Sequence, residues 1–147
     1  MSLNEPRTAL DELPLVLRVC RLGRTDYRSC WALQKKLLDA RRRGSISDTL
    51  LLTEHDPVYT IGRSGDRLHV LADPDELRRR NVEVVDVDRG GDVTFHGPGQ
   101  LVGYPIMDLR QRACDLHRSL RDLEEVVIRV LAAHGILAGR DEGLTGV

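Results

Sequence analysis

The stretch Arg89–Pro105, RGGDVTFHGPGQLVGYP, brings together five glycines, two prolines, an arginine, an aspartate, a threonine and a histidine between strand-like segments. Glycine tolerates positive φ and lets backbone approach a ligand closely. Successive backbone N–H groups in such turns can form a nest for an anion or a carbonyl oxygen. Arg89 adds a fixed charge, and His96 adds a group that donates or accepts near neutral pH. The plain alternative is two tight turns with polar residues at the surface, because Gly-Gly and Gly-Pro-Gly are common turn punctuation.

Other chemistries fail on detail. There is no G-x-x-x-x-G-K-[ST] phosphate loop, and the only lysines, Lys35 and Lys36, lie side by side far from the glycines. Gly97, Gly99 and Gly103 are spaced one residue too widely for the dinucleotide fingerprint and lead into a strand. His55, His69, His96, His117 and His134 show no H-x-x-x-H pairing and there is no C-x-x-C, so no metal site is expected. Asp86 and Asp88 could act as paired carboxylates, but strand alternation puts both on one face, which suits solvent. Cys20 and Cys30 read as small buried hydrophobes. Cys114 opens the last helix, where a helix N-terminus could lower its pKa, yet no histidine or lysine is placed to assist it. Arg41–Arg43 and Arg78–Arg80 end two helices and read as solvated, dipole-complementing charge, or as a small basic patch for an acidic partner.

Composition narrows the class. The chain has 147 residues, one domain by size, with 22 Lys+Arg against 23 Asp+Glu, so there is no global basic field for nucleic acid. Aromatics make up 3%, too few for a base-stacking platform. No apolar run reaches the ~20 residues of a membrane span, and the N-terminal residues lack a secretory apolar segment. Three widely spaced cysteines fit a reducing, cytoplasmic setting rather than a disulfide framework.

The elements that position the glycine-rich stretch follow from periodicity. Residues 1–12 form a loose lead-in, and residues 13–147 the domain. Strands are expected at 13–22, 48–54, 58–61, 82–87, 92–96 and 101–107. The last two are joined as a hairpin-like pair by Gly97-Pro98-Gly99. An amphipathic helix over 26–43 is N-capped by Thr25 and stopped by Gly44. A short helix starts at Pro74, and the stripe Leu116, Leu120, Leu123, Val127, Val130, Leu131 and His134 makes the longest helix, closed by Gly135. Residues 144–147 begin a further strand-like run. The fold class is α/β, of α+β character: a mixed sheet flanked by helices.

Two blocks carry a family resemblance. RGGDVTFHGPGQLVGYPIM, residues 89–107, resembles the signature of the octanoyltransferases of lipoate biosynthesis, the lipoyl-protein ligase B family, and LLLTEHDPVYTIGR, residues 50–63, resembles that family's upstream block. A fainter likeness runs from residue 15 to Val147, including the final GLTGV; Phe95 stands where the family usually has tyrosine. The resemblance implies a biotin/lipoate ligase type of fold, incomplete at its C-terminus. It implies transfer of an octanoyl group from acyl-carrier protein to a lysine of lipoyl domains, those of 2-oxoacid dehydrogenase E2 subunits and glycine cleavage H protein, with no cofactor, nucleic acid or membrane involved.

The family's substrate-binding segment maps onto Arg89, Gly90, Gly91, Asp92, Val93, Thr94, Phe95 and His96, which would line the acyl tunnel and thioester site. Seven buried methylene-like groups at ~0.8 kcal/mol each would supply several kcal/mol of binding. The family's acyl-accepting cysteine and the lysine that lowers its pKa are expected downstream of Val147, and Cys20, Cys30, Cys114, Lys35 and Lys36 do not match them. The alternatives are an inactive acyl- or carrier-binding remnant, or an ATP-dependent lipoate or biotin ligase relative.

Overall fold

A computed structural model describes residues 16–112 and 114–147, so the expected lead-in and the start of the first expected strand lie outside the described residues. The chain forms two compact units that meet in sequence at Met107/Asp108. The first contains β1 (Leu17–Thr25), α1 (Tyr27–Arg42), β2 (Asp48–His55), β3 (Val58–Ile61), α2 (Pro74–Arg79), β4 (Glu83–Asp86), β5 (Val93–His96) and β6 (Val102–Ile106). The second contains α3 (Leu116–Ala133), preceded by a 3-10 turn at Leu109–Arg112.

The mixed pairing expected from the sequence is divided between two three-stranded sheets, ordered β1-β2-β6 and β4-β3-β5. Each has one parallel pair joined by a helical crossover, β1-α1-β2 and β3-α2-β4, and one antiparallel partner, β6 and β5. The expected hairpin between the last two strands does not form: β5 pairs with β3 and β6 with β2. The turn explains this. Gln100 N donates to the Gly97 carbonyl with Gly99 at φ +87°, so Pro98-Gly99 occupy the central positions of a type II turn. Such turns splay their flanking strands, whereas tight hairpins need the primed types.

Helix α1 begins one residue later than expected. Asp26, not Thr25, is the N-cap and accepts from Ser29 N at 2.7 Å. Thr25 remains in β1, and its hydroxyl turns to Thr53. The first arginine of the Arg41–Arg43 run is not solvated: Arg41 Nε donates to Asp48 at 2.8 Å, and Asp48 is 3% exposed. Arg78–Arg80 are exposed and pair with Asp75 and Glu76 on their own helix. Asp86 and Asp88 both face solvent, and Asp86 pairs with Arg67. The core of the first unit gathers Tyr27, Val58, Val85 and Val87, with Trp31 against them.

In the second unit, Asp115 caps α3 by accepting from Arg118 N, so Cys114 lies before the helix rather than in it, at φ +52°. His134 donates to the Val130 carbonyl at the helix end. The expected stripe is helical, but Leu116, Leu123, Val127 and Val130 are exposed. The buried side chain of α3 is Glu124. It accepts from Gly146 N, Arg121 and Arg140, and these bonds hold its carboxyl below the usual carboxylate range. The clamp reaches Gly146, and residues 144–147 do not form the expected strand-like run.

Candidate functional site

Beyond Ile61, β3 continues into a second run of pairing. Gly62 N donates to the Asp92 carbonyl, Arg63 N to Arg89 and Ser64 N to Gly91, at 3.0–3.3 Å. Residues 89–92 therefore form a strap laid across 62–64. Glycine is required beneath it: a Cβ at Gly62 would lie 2.2 Å from the Gly91 oxygen and 2.9 Å from that of Gly90. Arg89 locks the strap by donating to the Thr60 carbonyl (2.9 Å), the Thr60 hydroxyl (2.8 Å) and the Gly90 carbonyl (2.9 Å). Asp92 pairs with His69 Nδ1 at 2.7 Å, an exposed contact that raises the histidine pKa and lowers that of the aspartate.

The eight residues 89–96 do not share one face. Along β5 the strand period places Thr94 and His96 opposite Thr60 and Val58, and Val93 and Phe95 opposite Ile61 and Tyr59. Phe95 packs on Tyr59 at 5.1 Å between ring centroids and is 44% exposed. His96 turns the other way, into a group of rings that joins the two sheets.

Tyr27 opens α1, His55 ends β2, His96 ends β5 and Tyr104 sits inside β6. Tyr27 stacks on His96 at 6.2 Å and meets His55 edge-on at 5.2 Å; His55 lies 5.8 Å from both His96 and Tyr104. His55 Nε2 and the Tyr104 hydroxyl share a 2.8 Å hydrogen bond, and His96 Nδ1 contacts Gln100 Oε1 at 2.6 Å. On the far side of His55, Nδ1 is 3.3 Å from both the carbonyl and the hydroxyl of Thr25.

Burial sets the protonation states. His55 is 0% exposed, and desolvation, helped by neighbouring His96, pushes its pKa below the ordinary histidine value. Desolvation likewise raises the pKa of Tyr27 and Tyr104, so both phenols stay protonated. Tyr27, His55 and Tyr104 thus form a wall of neutral donors and acceptors, suited to orienting a carbonyl and excluding water.

A lowered histidine pKa has a signed consequence. Above about 6.5 neither folded nor unfolded chain protonates this residue. As pH falls below that, the unfolded chain takes up a proton that folded His55 resists, and stability is lost until the folded pKa is passed. Urea melts at pH 7.5 and 5 are therefore expected to show a smaller acid loss for His55→Gln than for the parent. The exposed His69–Asp92 pair acts in the opposite sense in both proteins, and an equal loss in both would remove His55 from this account.

Among the described residues no hydrogen bond joins a thiol to a lysine. Cys30 is 2% exposed beside Gln34, Cys20 is half-buried in β1, and Cys114 is exposed in the second unit. Lys35 lies over the Trp31 ring at 3.7 Å. Among the described residues no three metal-ligating side chains gather. The sequence expectations place Arg89 and His96 in the candidate site, but leave His55 between the expected strands 48–54 and 58–61, Tyr27 in the expected helix 26–43 and Tyr104 in the expected strand 101–107. The only signal for them was position: His55 and Tyr104 belong to the two blocks that carried the resemblance.

Comparison with known proteins bears on this arrangement. Residues 26–147 match the lipoyl protein ligase A/B catalytic domain. An octanoyltransferase of Rubrobacter xylanophilus is 54% identical over 149 aligned residues, covering 100% of this chain and 63% of the relative. One from Chloroflexus aggregans is 52% identical over 131, covering 89% and 59%. The chain therefore spans about three fifths of the length of these relatives. Among solved structures, a lipoate-protein ligase A bound with ATP superposes with TM-score 0.62 at 18% identity, covering 88% of this chain and 52% of that one. A bi-partite lipoate protein ligase from Thermoplasma acidophilum gives 0.59 at 20%, covering 85% and 48%. At such identities the structures speak to fold alone, which is the fold described above. The match over residues 26–147 decides the family: the chain belongs to the lipoyl protein ligase A/B catalytic domain family.

Proposed function

We propose that this chain carries the acyl-binding part of an octanoyltransferase, which moves an octanoyl group from octanoyl-acyl-carrier protein to a lysine of a lipoyl domain through a cysteine thioester. The observation that carries the reading is the identity of 52–54% to proteins named octanoyltransferase, across a segment that includes the strap and the ring cluster. In this reading the strap 89–92 shapes the acyl site, and Thr94 and His96 face the thioester. Tyr27, His55 and Tyr104 form the wall behind them, and Phe95 supports β5 from its other face. The acceptors are lipoyl domains of 2-oxoacid dehydrogenase E2 subunits and of glycine cleavage H protein, reached in the cytoplasm. No described helix is long and apolar enough to cross a membrane.

The reading gives the nucleophile's role to none of Cys20, Cys30 and Cys114, because among the described residues none is hydrogen-bonded to an activating lysine. It places the cysteine and its lysine in the part of the relatives' length that this chain does not span. The chain's own contribution is binding. Octanoyl exceeds butyryl by four methylenes, about 3 kcal/mol if all are buried, or about a hundredfold in affinity. Titration of this chain with octanoyl- and butyryl-pantetheine is expected to show that preference, and His96→Ala to weaken octanoyl binding at least about tenfold. Equal binding of the two thioesters overturns the acyl-site assignment, and ATP-dependent acyl-adenylate formation transfers the chain to the ligases.

A further inference from the structure

The contacts behind His55 determine which of its nitrogens carries the proton. The Thr53 hydroxyl oxygen lies 2.8 Å from the Gly23 carbonyl and 3.0 Å from the Glu54 carbonyl, and carbonyls only accept, so its single hydrogen is directed there. The same oxygen lies 2.8 Å from the Thr25 hydroxyl. With the Thr53 hydrogen engaged elsewhere, this contact requires the Thr25 hydroxyl to donate to Thr53. The Thr25 oxygen then has only lone pairs to offer His55 Nδ1, as does the Thr25 carbonyl, each at 3.3 Å. Nδ1 must therefore be the protonated nitrogen. Nε2 is left as an acceptor, and it takes the hydroxyl hydrogen of Tyr104 at 2.8 Å.

We propose that Thr53 is a positioning residue: by holding the Thr25 hydroxyl away from His55, it fixes the imidazole as the Nδ1–H tautomer and so makes Tyr104 a donor to Nε2. The phenol's hydrogen is then committed to His55, and its oxygen has only lone pairs to offer any other partner. Thr25 by itself is ambivalent, since a threonine hydroxyl can either donate or accept; Thr53 removes the choice. The proposal rests on the ring cluster being the thioester wall for its functional meaning, but not for its test.

The test reads protonation directly, by imidazole 15N shifts of His55 in the 147-residue chain at pH 7.5. The parent is expected to show Nδ1 at the protonated position and Nε2 at the bare one. Thr53→Val, close in shape, frees the Thr25 hydroxyl to donate to Nδ1; the two shifts should move toward each other as the Nε2–H tautomer appears. Thr53→Ser should keep the parent pattern. The double variant Thr25→Val/Thr53→Val removes the competing donor, leaves the Thr25 carbonyl, and should restore Nδ1–H. A parent that is Nε2–H or doubly protonated, a Thr53→Val spectrum like the parent's, or a double variant that stays shifted each overturns the proposal. Should Thr53→Val fail to fold, Thr53→Ala removes the same hydroxyl and makes the same comparison, and a spectrum like the parent's overturns the proposal. If octanoyl binding fails while these shifts behave as stated, the relay stands and the function is what falls.

Discussion

Gly62→Ala is expected to lower stability by about 3 kcal/mol, at the upper end of ordinary overpacking, and to abolish the strap's pairing with 62–64. The added methyl meets backbone, not a movable side chain: the Gly91 oxygen at 2.2 Å, with the Gly90 oxygen and Gly91 carbon both at 2.9 Å. Relief requires the two segments to separate, and that breaks the hydrogen bonds from Gly62, Arg63 and Ser64 N–H groups. The Arg89 guanidinium spans the same junction to Thr60, so separation also removes its partners. Gly90→Ala is the control. A Cβ there meets nothing within 4 Å, and its effect should stay within about 0.5 kcal/mol. Urea denaturation of both variants checks this, with amide exchange at residues 62–64 showing whether the strap has lifted. Similar stabilities for the two would mean that the strap is not held against Gly62.

That junction was partly legible in the sequence. A Gly-Gly after Arg89 announced close backbone approach, but what it approached could not be read from local pattern, because Gly62 lies a whole α2–β4 excursion earlier. Strand and helix positions were legible wherever side-chain period reports burial, as in β2, where Thr49, Leu51, Thr53 and His55 alternate inward. The same alternation hid the site: three of those four are polar, and polar residues at inward positions look like a weak strand end until their partners are known. The ring cluster takes one residue from each of α1, β2, β5 and β6. No window along the chain contains it, and only the register between strands assembles it. The hairpin failed for a related reason. Gly-Pro-Gly marks a turn, while the sign of φ at each glycine, which decides whether the strands close or splay, is not written in the residue types.

Arg41→Met is expected to cost about 3–5 kcal/mol, more than a typical surface arginine, because its partner Asp48 is 3% exposed and the arginine side chain itself only 11%. A buried carboxylate that loses the guanidinium facing it keeps its desolvation penalty without that compensation. The reference experiment is the double variant Arg41→Met/Asp48→Leu. Replacing both charges with apolar groups of similar size should recover much of the loss, since a buried ion pair contributes little over a well-packed apolar pair. Arg41→Lys should fall between, keeping the charge but not the planar donor fork. The effect should also reach the site. Asp48 starts β2 and His55 ends it, while Arg41 sits in the last turn of the helix that Tyr27 begins. The ion pair thus closes one end of the α1–β2 corner whose other end holds Tyr27 against His55 at 5.2 Å. Thermal melts and the Tyr27–His55 ring contacts in NMR spectra are expected to fail together in Arg41→Met and to return together in the double variant. Recovery of stability without recovery of the ring contacts would show that the corner is braced at the cluster end and not by the ion pair.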